Sequence, residues 1–206
     1  MFISDEKEKF DPTAFRDSIF SGITESNGDL EALYKFLDVS GGKLDYRKYG
    51  EFLFDILIAG GILAPGGTVL PEQDPSKVTR TDLCIFARPD DDESIKSFWQ
   101  VITKLIRRYK YLEKTLEESI GKIIVFQKAF SPEERTKLAK LTALLISGGQ
   151  IPPQVINKSI QDHLVKENIA SEFLIQVLKT WQSEKDATTI WTSIRKASLD
   201  SKLLVV

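Results

Sequence analysis

Apolar residues recur along most of this chain at intervals of three and four positions, which is the spacing of one face of an α-helix. The first such stretch follows Asp11, an N-cap residue, and a proline at the first helical position. A second opens at Asp29 and ends at Gly41, and a third runs from near Lys43 to the glycine pair at Gly60. Strand-like alternation is sparse, so the pattern predicts an all-α chain.

The middle of the chain combines the longest loop with the longest helical run. Residues 64–80 hold three prolines and two glycines, and a loop of that length is either functional or mobile. The short apolar segment 81–87 that follows could form another helix. Apolar positions then continue from Ile95 to Phe130 with only Gly121 as a possible break. We therefore expect two consecutive helices or one long bent helix.

The last third of the chain carries the clearest boundary signals. Ser131 precedes a proline and is followed three residues later by Glu134, which is the pattern of a capping box at a helix start. That helix is expected to end at Gly148. The other predicted boundaries are helix starts at the proline pair 152–153 and near Asp186, and a turn at Asn168.

Helices of ordinary length with short connections indicate how the chain is organised. Pairs recur every ~35–45 residues, which favours an α-solenoid of HEAT-type helical hairpins over residues 11–206, after a tail at residues 1–10. The sequence has no strict repeat, so a globular helical bundle stays open as the competing fold. The final residues, KLLVV, are apolar and uncapped, which indicates a domain cut short at its C-terminal end.

Composition narrows the class of protein. The chain has 206 residues and a net charge of −2, which argues against bulk electrostatic binding to nucleic acid or acidic membranes. Its single cysteine, Cys84, excludes an internal disulfide and fits a reducing compartment. Cys84 lies between apolar neighbours, so we expect a buried structural thiol. Neither a membrane span nor a signal peptide is recognisable, and the expected location is the cytoplasm.

No arrangement of residues points to catalysis. One histidine, His163, and one cysteine leave neither a nucleophile with its base nor a zinc site. The acidic run 90–93 could bind a hard cation, but its place at a helix start is explained by the helix dipole. The glycine pairs at Gly60 and Gly66 lack the lysine of a phosphate loop, and we interpret them as a helix stop and a turn. The sequence therefore predicts a protein that is not an enzyme and needs no metal or cofactor.

One cluster of basic residues is the candidate binding site. It lies on a polar face of the long helical run, opposite the core positions, with Tyr109 and Tyr111 interleaved. This cluster could be the solvated back of a helix, or a docking face for an acidic protein segment or for RNA phosphate. Its members are Lys104, Arg107, Arg108, Lys110 and Lys114.

A recognisable motif occupies residues 51–68, EFLFDILIAGGILAPGGT, where an apolar helix runs into two glycine pairs. Together with EKFDPTAFRDSI, RTDLCIFA and KLIRRYKYLEK, it resembles the N-terminal half of the translation initiation factor five-mimic proteins. This family is also called the basic leucine-zipper and W-two-domain proteins. The resemblance implies a HEAT-repeat domain similar to the middle domain of initiation factor four-G.

The same resemblance implies a non-enzymatic regulator of translation. Members of the family bind initiation factors two and three, compete with factor five, and restrain initiation at non-AUG or poor start codons. The C-terminal W-two domain, which contacts factor two, has no match in this sequence. The resemblance therefore implies that this half docks proteins, with possible ribosome or RNA contact and no membrane or small-molecule substrate. An RNA-binding helical repeat that uses the basic face is the alternative.

Overall fold

Nine α-helices make up the fold of residues 9–206, the part of the chain that the computed structural model describes. Most of the predicted tail, residues 1–8, lies outside the described residues. The helices are α1 Pro12–Ser26, α2 Leu30–Ser40, α3 Tyr46–Ala59, α4 Asp92–Arg108, α5 Leu112–Val125, α6 Pro132–Ser147, α7 Asp162–Val165, α8 Ile169–Glu184 and α9 Ala187–Lys196. Short 3₁₀ helices lie at Gln127–Ala129, Pro153–Ser159 and Leu203–Val205.

The helices pack in two layers. The first layer is the row α2, α4, α6 and α8, and the second is the row α1, α3, α5 and the 3₁₀ helix Pro153–Ser159. Each successive hairpin gives one helix to each row, so a helix packs mainly against its counterpart in the next hairpin. That is the arrangement of an α-solenoid. It confirms the predicted HEAT-type fold rather than a globular bundle.

Local signals in the sequence place most helix starts correctly. Asp11 accepts a hydrogen bond from the backbone N of Ala14 at 3.0 Å, and the proline between them begins α1. The capping box before α6 is complete: the Ser131 hydroxyl accepts from the Glu134 N at 3.1 Å, and the Glu134 carboxylate accepts from the Ser131 N at 2.8 Å. These caps satisfy backbone donors that a helix start leaves without partners.

Several boundaries differ from the prediction. Helix α3 begins at Tyr46 after the cap residue Asp45, rather than near Lys43. The proline pair 152–153 starts a 3₁₀ helix and not an α-helix. The long helical run is two helices, α4 and α5, and Gly121 lies inside α5 without breaking it.

The connection between α3 and α4, residues 60–91, is longer than predicted because its apolar part, 81–87, forms turns rather than a helix. The backbone N atoms of Ile85 and Phe86 donate to the carbonyls of Leu57 and Ile58, each at 3.0 Å. Those carbonyls belong to the last turn of α3, where a helix has no N–H donors of its own to offer them. The segment therefore caps α3, and the connection is held against the solenoid.

Glycines let this connection approach α3 closely. Gly60 ends the helix at φ +90°, and a Cβ there would lie 2.7 Å from the carbonyl oxygen of Thr81. A Cβ on Gly61 would lie 2.5 Å from the carbonyl oxygen of Thr79. The glycine pair thus ends the helix, as predicted, and also makes room for the backbone of the connection.

Three buried charges fix the connection in place. Asp55, on α3, is 1 % exposed and accepts from the Leu63 N at 3.1 Å and from the Lys122 ammonium at 2.7 Å. Burial raises the pKa of its carboxyl to about 6, against the lowering effect of the nearby ammonium. Arg16 reaches Glu72 at 3.3 Å, and the Lys137 ammonium donates to the carbonyl of Phe86 at 2.8 Å.

Candidate protein-docking surface

The predicted basic cluster does not lie on one helix. Lys104, Arg107 and Arg108 belong to the last turn and a half of α4, Lys110 lies in the turn, and Lys114 is on α5. The interpretation as one continuous helix face is therefore wrong. The cluster lies instead at the edge of the solenoid where α4 turns into α5.

Tyr109 explains why α4 ends where it does. Its side chain reaches back to the end of α2, where its hydroxyl donates to the carbonyl of Asp38 and its ring meets Tyr46 edge-on with centroids 5.5 Å apart. A Cβ on Gly41 would lie 2.2 Å from the Tyr109 ring, so the glycine at the end of α2 provides the space. Packing against α2 thus fixes the turn that splits the basic cluster.

Part of the predicted polar face is buried. Thr103 is 5 % exposed and lies on the core side of α4. Its hydroxyl oxygen finds no hydrogen-bond partner among residues 9–206. The exposed part of the face is accordingly narrower than the spacing of polar residues indicated.

Four of the five basic residues have a carboxylate nearby. All four pairs are exposed, and exposed ion pairs contribute from zero to ~1 kcal/mol because water screens them and both side chains lose freedom. Such pairs can exchange one partner for another at little cost. The pairs are Lys104–Glu31 at 3.6 Å, Arg108–Asp38 at 2.9 Å, Lys110–Glu113 at 3.1 Å and Lys114–Glu118 at 3.8 Å.

Arg107 differs from the other four. It is exposed, and no carboxylate of residues 9–206 forms an ion pair with it. Its guanidinium is thus the cation of the cluster most available to a partner. The local excess of positive charge is small, because the other four cations have acidic neighbours.

Arg47 is a neighbour of this cluster that sequence reasoning missed. It lies in the first turn of α3, and its guanidinium carbon stands 3.9 Å from the centre of the Tyr111 ring. Tyr111 in turn lies 6.0 Å from Tyr109, whose ring is covered by Arg108 at 5.1 Å. We call Arg47 and the five predicted residues together the basic edge. No sequence signal links Arg47 to residues some sixty positions later.

The other candidate groups have structural roles. Asp91 caps α4 by accepting from the Ser94 N at 2.7 Å, and Asp90 and Asp92 both pair with Lys140. Cys84 is buried, as predicted, and burial raises the pKa of its thiol. Within the described residues there is no group of three or more His, Cys, Asp or Glu side chains that could hold a metal ion.

Two surface cavities flank α5. One has a volume of about 460 Å³ and the other about 660 Å³, and the side chain of Glu117 lines both. They form where the second layer continues past α5 with a short 3₁₀ helix instead of a full α-helix. Their walls carry both lysines and glutamates, so neither cavity favours one sign of ligand charge. As for membranes, none of the helices in residues 9–206 is both long and apolar enough to span a bilayer.

A two-layer stack of helical hairpins with a charged edge defines a helical-repeat scaffold, a class of protein that acts through its surfaces. Comparison with known families makes this specific. The family model described as the 5MP1/2 HEAT domain matches residues 4–206. The chain belongs to the eIF5-mimic protein family, as the motif at residues 51–68 predicted.

Individual relatives agree with this assignment. The chain is 52 % identical over 200 residues to eIF5-mimic protein 1 of Danio rerio. The aligned region covers 97 % of this chain and 47 % of that protein. It is 50 % identical over 200 residues to eIF5-mimic protein 2 of Gallus gallus, and the aligned region covers 97 % of this chain and 47 % of that protein. Homo sapiens eIF5-mimic protein 1 gives the same figures, so the chain spans about half the length of these relatives. No solved structure matches the chain.

Proposed function

We propose that this chain is a protein-docking module of a translation-initiation regulator and works without catalysis in the cytoplasm. The observation that carries the proposal is the match of residues 4–206 to the HEAT domain of eIF5-mimic proteins. The name of these relatives states mimicry of an initiation factor. A scaffold of helical hairpins suits that role, since it presents extended surfaces for other proteins.

The proposed partners are complexes of initiation factors three and two. We assign contact with factor three to this half and contact with factor two mainly to the part of the relatives that the match does not reach. Competition with factor five for these complexes would restrain initiation at non-AUG or poor start codons. Contact with the ribosome remains part of the proposal.

The basic edge is the proposed docking surface. Its ion pairs are exposed and weak, so carboxylates of a partner can replace the internal ones without a large loss of stability. Exposed cations at an interface increase the association rate and make it sensitive to salt. Arg107, which has no internal ion pair within residues 9–206, can contribute without giving up a contact.

Charge reversal tests this assignment. In the variant Arg107→Glu/Arg108→Glu/Lys110→Glu, capture of factor three from cytosolic extract should fall, because the surface now repels acidic partners. The matched control is Lys179→Glu/Arg195→Glu/Lys196→Glu, which makes the same change at exposed positions of α8 and α9. Circular dichroism establishes that both variants are folded. Undiminished capture by the folded test variant would contradict the proposal.

RNA binding by the same surface is the second candidate. It predicts affinity that falls steeply with added salt, since each phosphate contact releases a counterion. The carboxylates paired with four of the basic residues reduce the charge available to a phosphate backbone. The net charge of −2 of the whole chain supports protein docking over RNA binding.

A further inference from the structure

The cation–π pair Arg47 and Tyr111 lies at the end of the basic edge nearest α3. Arg47 is exposed, and among residues 9–206 no carboxylate pairs with its guanidinium. A guanidinium held 3.9 Å above an aromatic ring loses freedom to move, while its N–H groups can still donate to a partner. Arg47 is thus already ordered for a partner that approaches its rim.

The carboxylates close to this pair are occupied. Asp45 accepts from the backbone N atoms of Arg47 and Lys48, both at 3.1 Å, and so serves as the cap of α3. Asp38 pairs with Arg108 through its carboxylate, and Glu113 pairs with Lys110. None of these groups neutralises the guanidinium of Arg47, which leaves a positive site with a preferred direction.

The form of the site favours a carboxylate over a nucleic acid. An arginine rim offers two parallel N–H groups, which match two oxygens of a carboxylate or of a phosphate, so the aromatic faces decide between these partners. Single-stranded nucleic acids bind largely by stacking bases on aromatic faces. Arg47 and Arg108 each cover one face of a tyrosine ring here, which removes stacking area from Tyr111 and Tyr109.

We propose that Arg47, held on Tyr111, is an anchor for a glutamate or aspartate side chain of an acidic peptide segment in the docking partner. Arg107, Arg108 and Lys110 then receive further carboxylates of the same segment along the edge. This inference rests on the proposed docking function and adds to it the chemistry of the partner. It also adds a residue of α3 to a surface that the sequence placed wholly on residues 104–114.

Binding of a fluorescein-labelled oligoglutamate peptide to the whole chain tests the anchor by fluorescence anisotropy. Arg47→Glu should raise the Kd at least about tenfold, because both charge-assisted hydrogen bonds are lost and a repelling charge is added. Arg47→Lys should raise it several-fold, because lysine keeps the charge but loses the flat, two-pronged geometry. Tyr111→Leu should resemble Arg47→Lys, since it removes the ring that orders the guanidinium.

Controls separate the anchor from general charge effects. Lys179→Glu makes the same charge change on α8 and should leave the Kd unchanged. Tyr111→Phe keeps the ring and should also bind as the unaltered chain does. The anchor is overturned if Arg47→Glu binds oligoglutamate normally, if Lys179→Glu weakens binding equally, or if oligouridylate displaces the peptide at lower concentration than unlabelled oligoglutamate does.

The anchor and the docking function can fail separately. Suppose that the triple variant at 107, 108 and 110 no longer captures factor three, while Arg47→Glu still captures factor three and binds the oligoglutamate peptide. The docking proposal then stands, and the proposed role of Arg47 as an anchor is wrong. If Arg47→Glu loses the peptide while the triple variant still captures factor three, an acidic-segment site exists but the docking assignment falls.

Discussion

The basic edge and the connection between α3 and α4 use the same kinds of residue in opposite ways. Where the connection meets the helices, Asp55 of α3 and Arg16 of α1 are 1 % and 2 % exposed and hold fixed partners in it. At the edge, Lys110 and Lys114 have side chains 81 % and 83 % exposed and pair with glutamates on neighbouring turns. Charge therefore fixes the fold in one region and remains exchangeable in the other.

The difference follows from desolvation. An ion taken out of water must recover its hydration energy from partners at close range, so removing one partner is costly. An ion at the surface keeps most of its water and gains little from its neighbour. The buried network should thus determine stability, whereas the edge should determine binding.

The largest expected effect comes from breaking the buried network. Asp55→Ala leaves the Leu63 N without its acceptor and the Lys122 ammonium without its closest carboxylate. We expect the free energy of unfolding to fall by about 3–4 kcal/mol in urea denaturation. Asp38→Ala, which removes the carboxylate paired with Arg108 at the edge, should cost less than about 1 kcal/mol. Equal losses in the two variants would remove the distinction between the regions.

The same carboxyl should make stability depend on pH. Because burial raises the pKa of Asp55 to about 6, the folded state binds this proton more tightly than the unfolded state does. The stabilising contribution of the proton is complete below about pH 4 and is lost as the pH rises to about 6, by roughly 2–3 kcal/mol. Urea denaturation at several values between about pH 4 and about pH 6 measures this loss of stability, with Asp55→Asn as the control variant. The difference in stability between the unaltered chain and the variant should change with pH. A constant difference would contradict the prediction.

Glycines extend the comparison to the backbone. A Cβ on Gly61 would meet the carbonyl oxygen of Thr79 at 2.5 Å, so Gly61→Ala should force the connection away from α3 and cost about 2 kcal/mol. A Cβ on Gly42, in the turn before Arg47, would meet nothing closer than the carbonyl oxygen of Val39 at 3.9 Å. Gly42→Ala should leave stability unchanged or raise it slightly, because alanine reduces the freedom of the unfolded chain. Thermal unfolding of the two variants compares them directly. A similar melting temperature for both would mean that the connection is not tightly docked.

Local signals explain why much of the fold could be predicted from the sequence. A cap such as Ser131 needs only residues within three positions, so its pattern is visible in the sequence and its geometry follows. The structure of the apolar segment 81–87 was harder to predict, because its backbone N–H groups donate to carbonyls of α3 rather than within a helix of its own. Periodicity alone cannot reveal such a contact.

The candidate surface was predicted only in part, for the same reason. The five basic residues are close in sequence, so charge spacing was enough to group them, and their role in binding stays a prediction. The turn that separates them depends on Tyr109 reaching α2, and Arg47 joins them from α3 through Tyr111. Both contacts connect residues that are far apart in the chain, which only the packing of the solenoid brings together.

The smallest expected effect lies at the edge itself. A double-mutant cycle with Lys110→Ala and Glu113→Ala should give a coupling energy of less than about 0.5 kcal/mol for this exposed pair. Raising the salt concentration to about 1 M should abolish even that, because the screening length falls to about 3 Å. A coupling near that of a buried pair would mean that Lys110 is fixed in place. The basic edge would then have to give up stability before a partner could bind, and its exchangeable character would be lost.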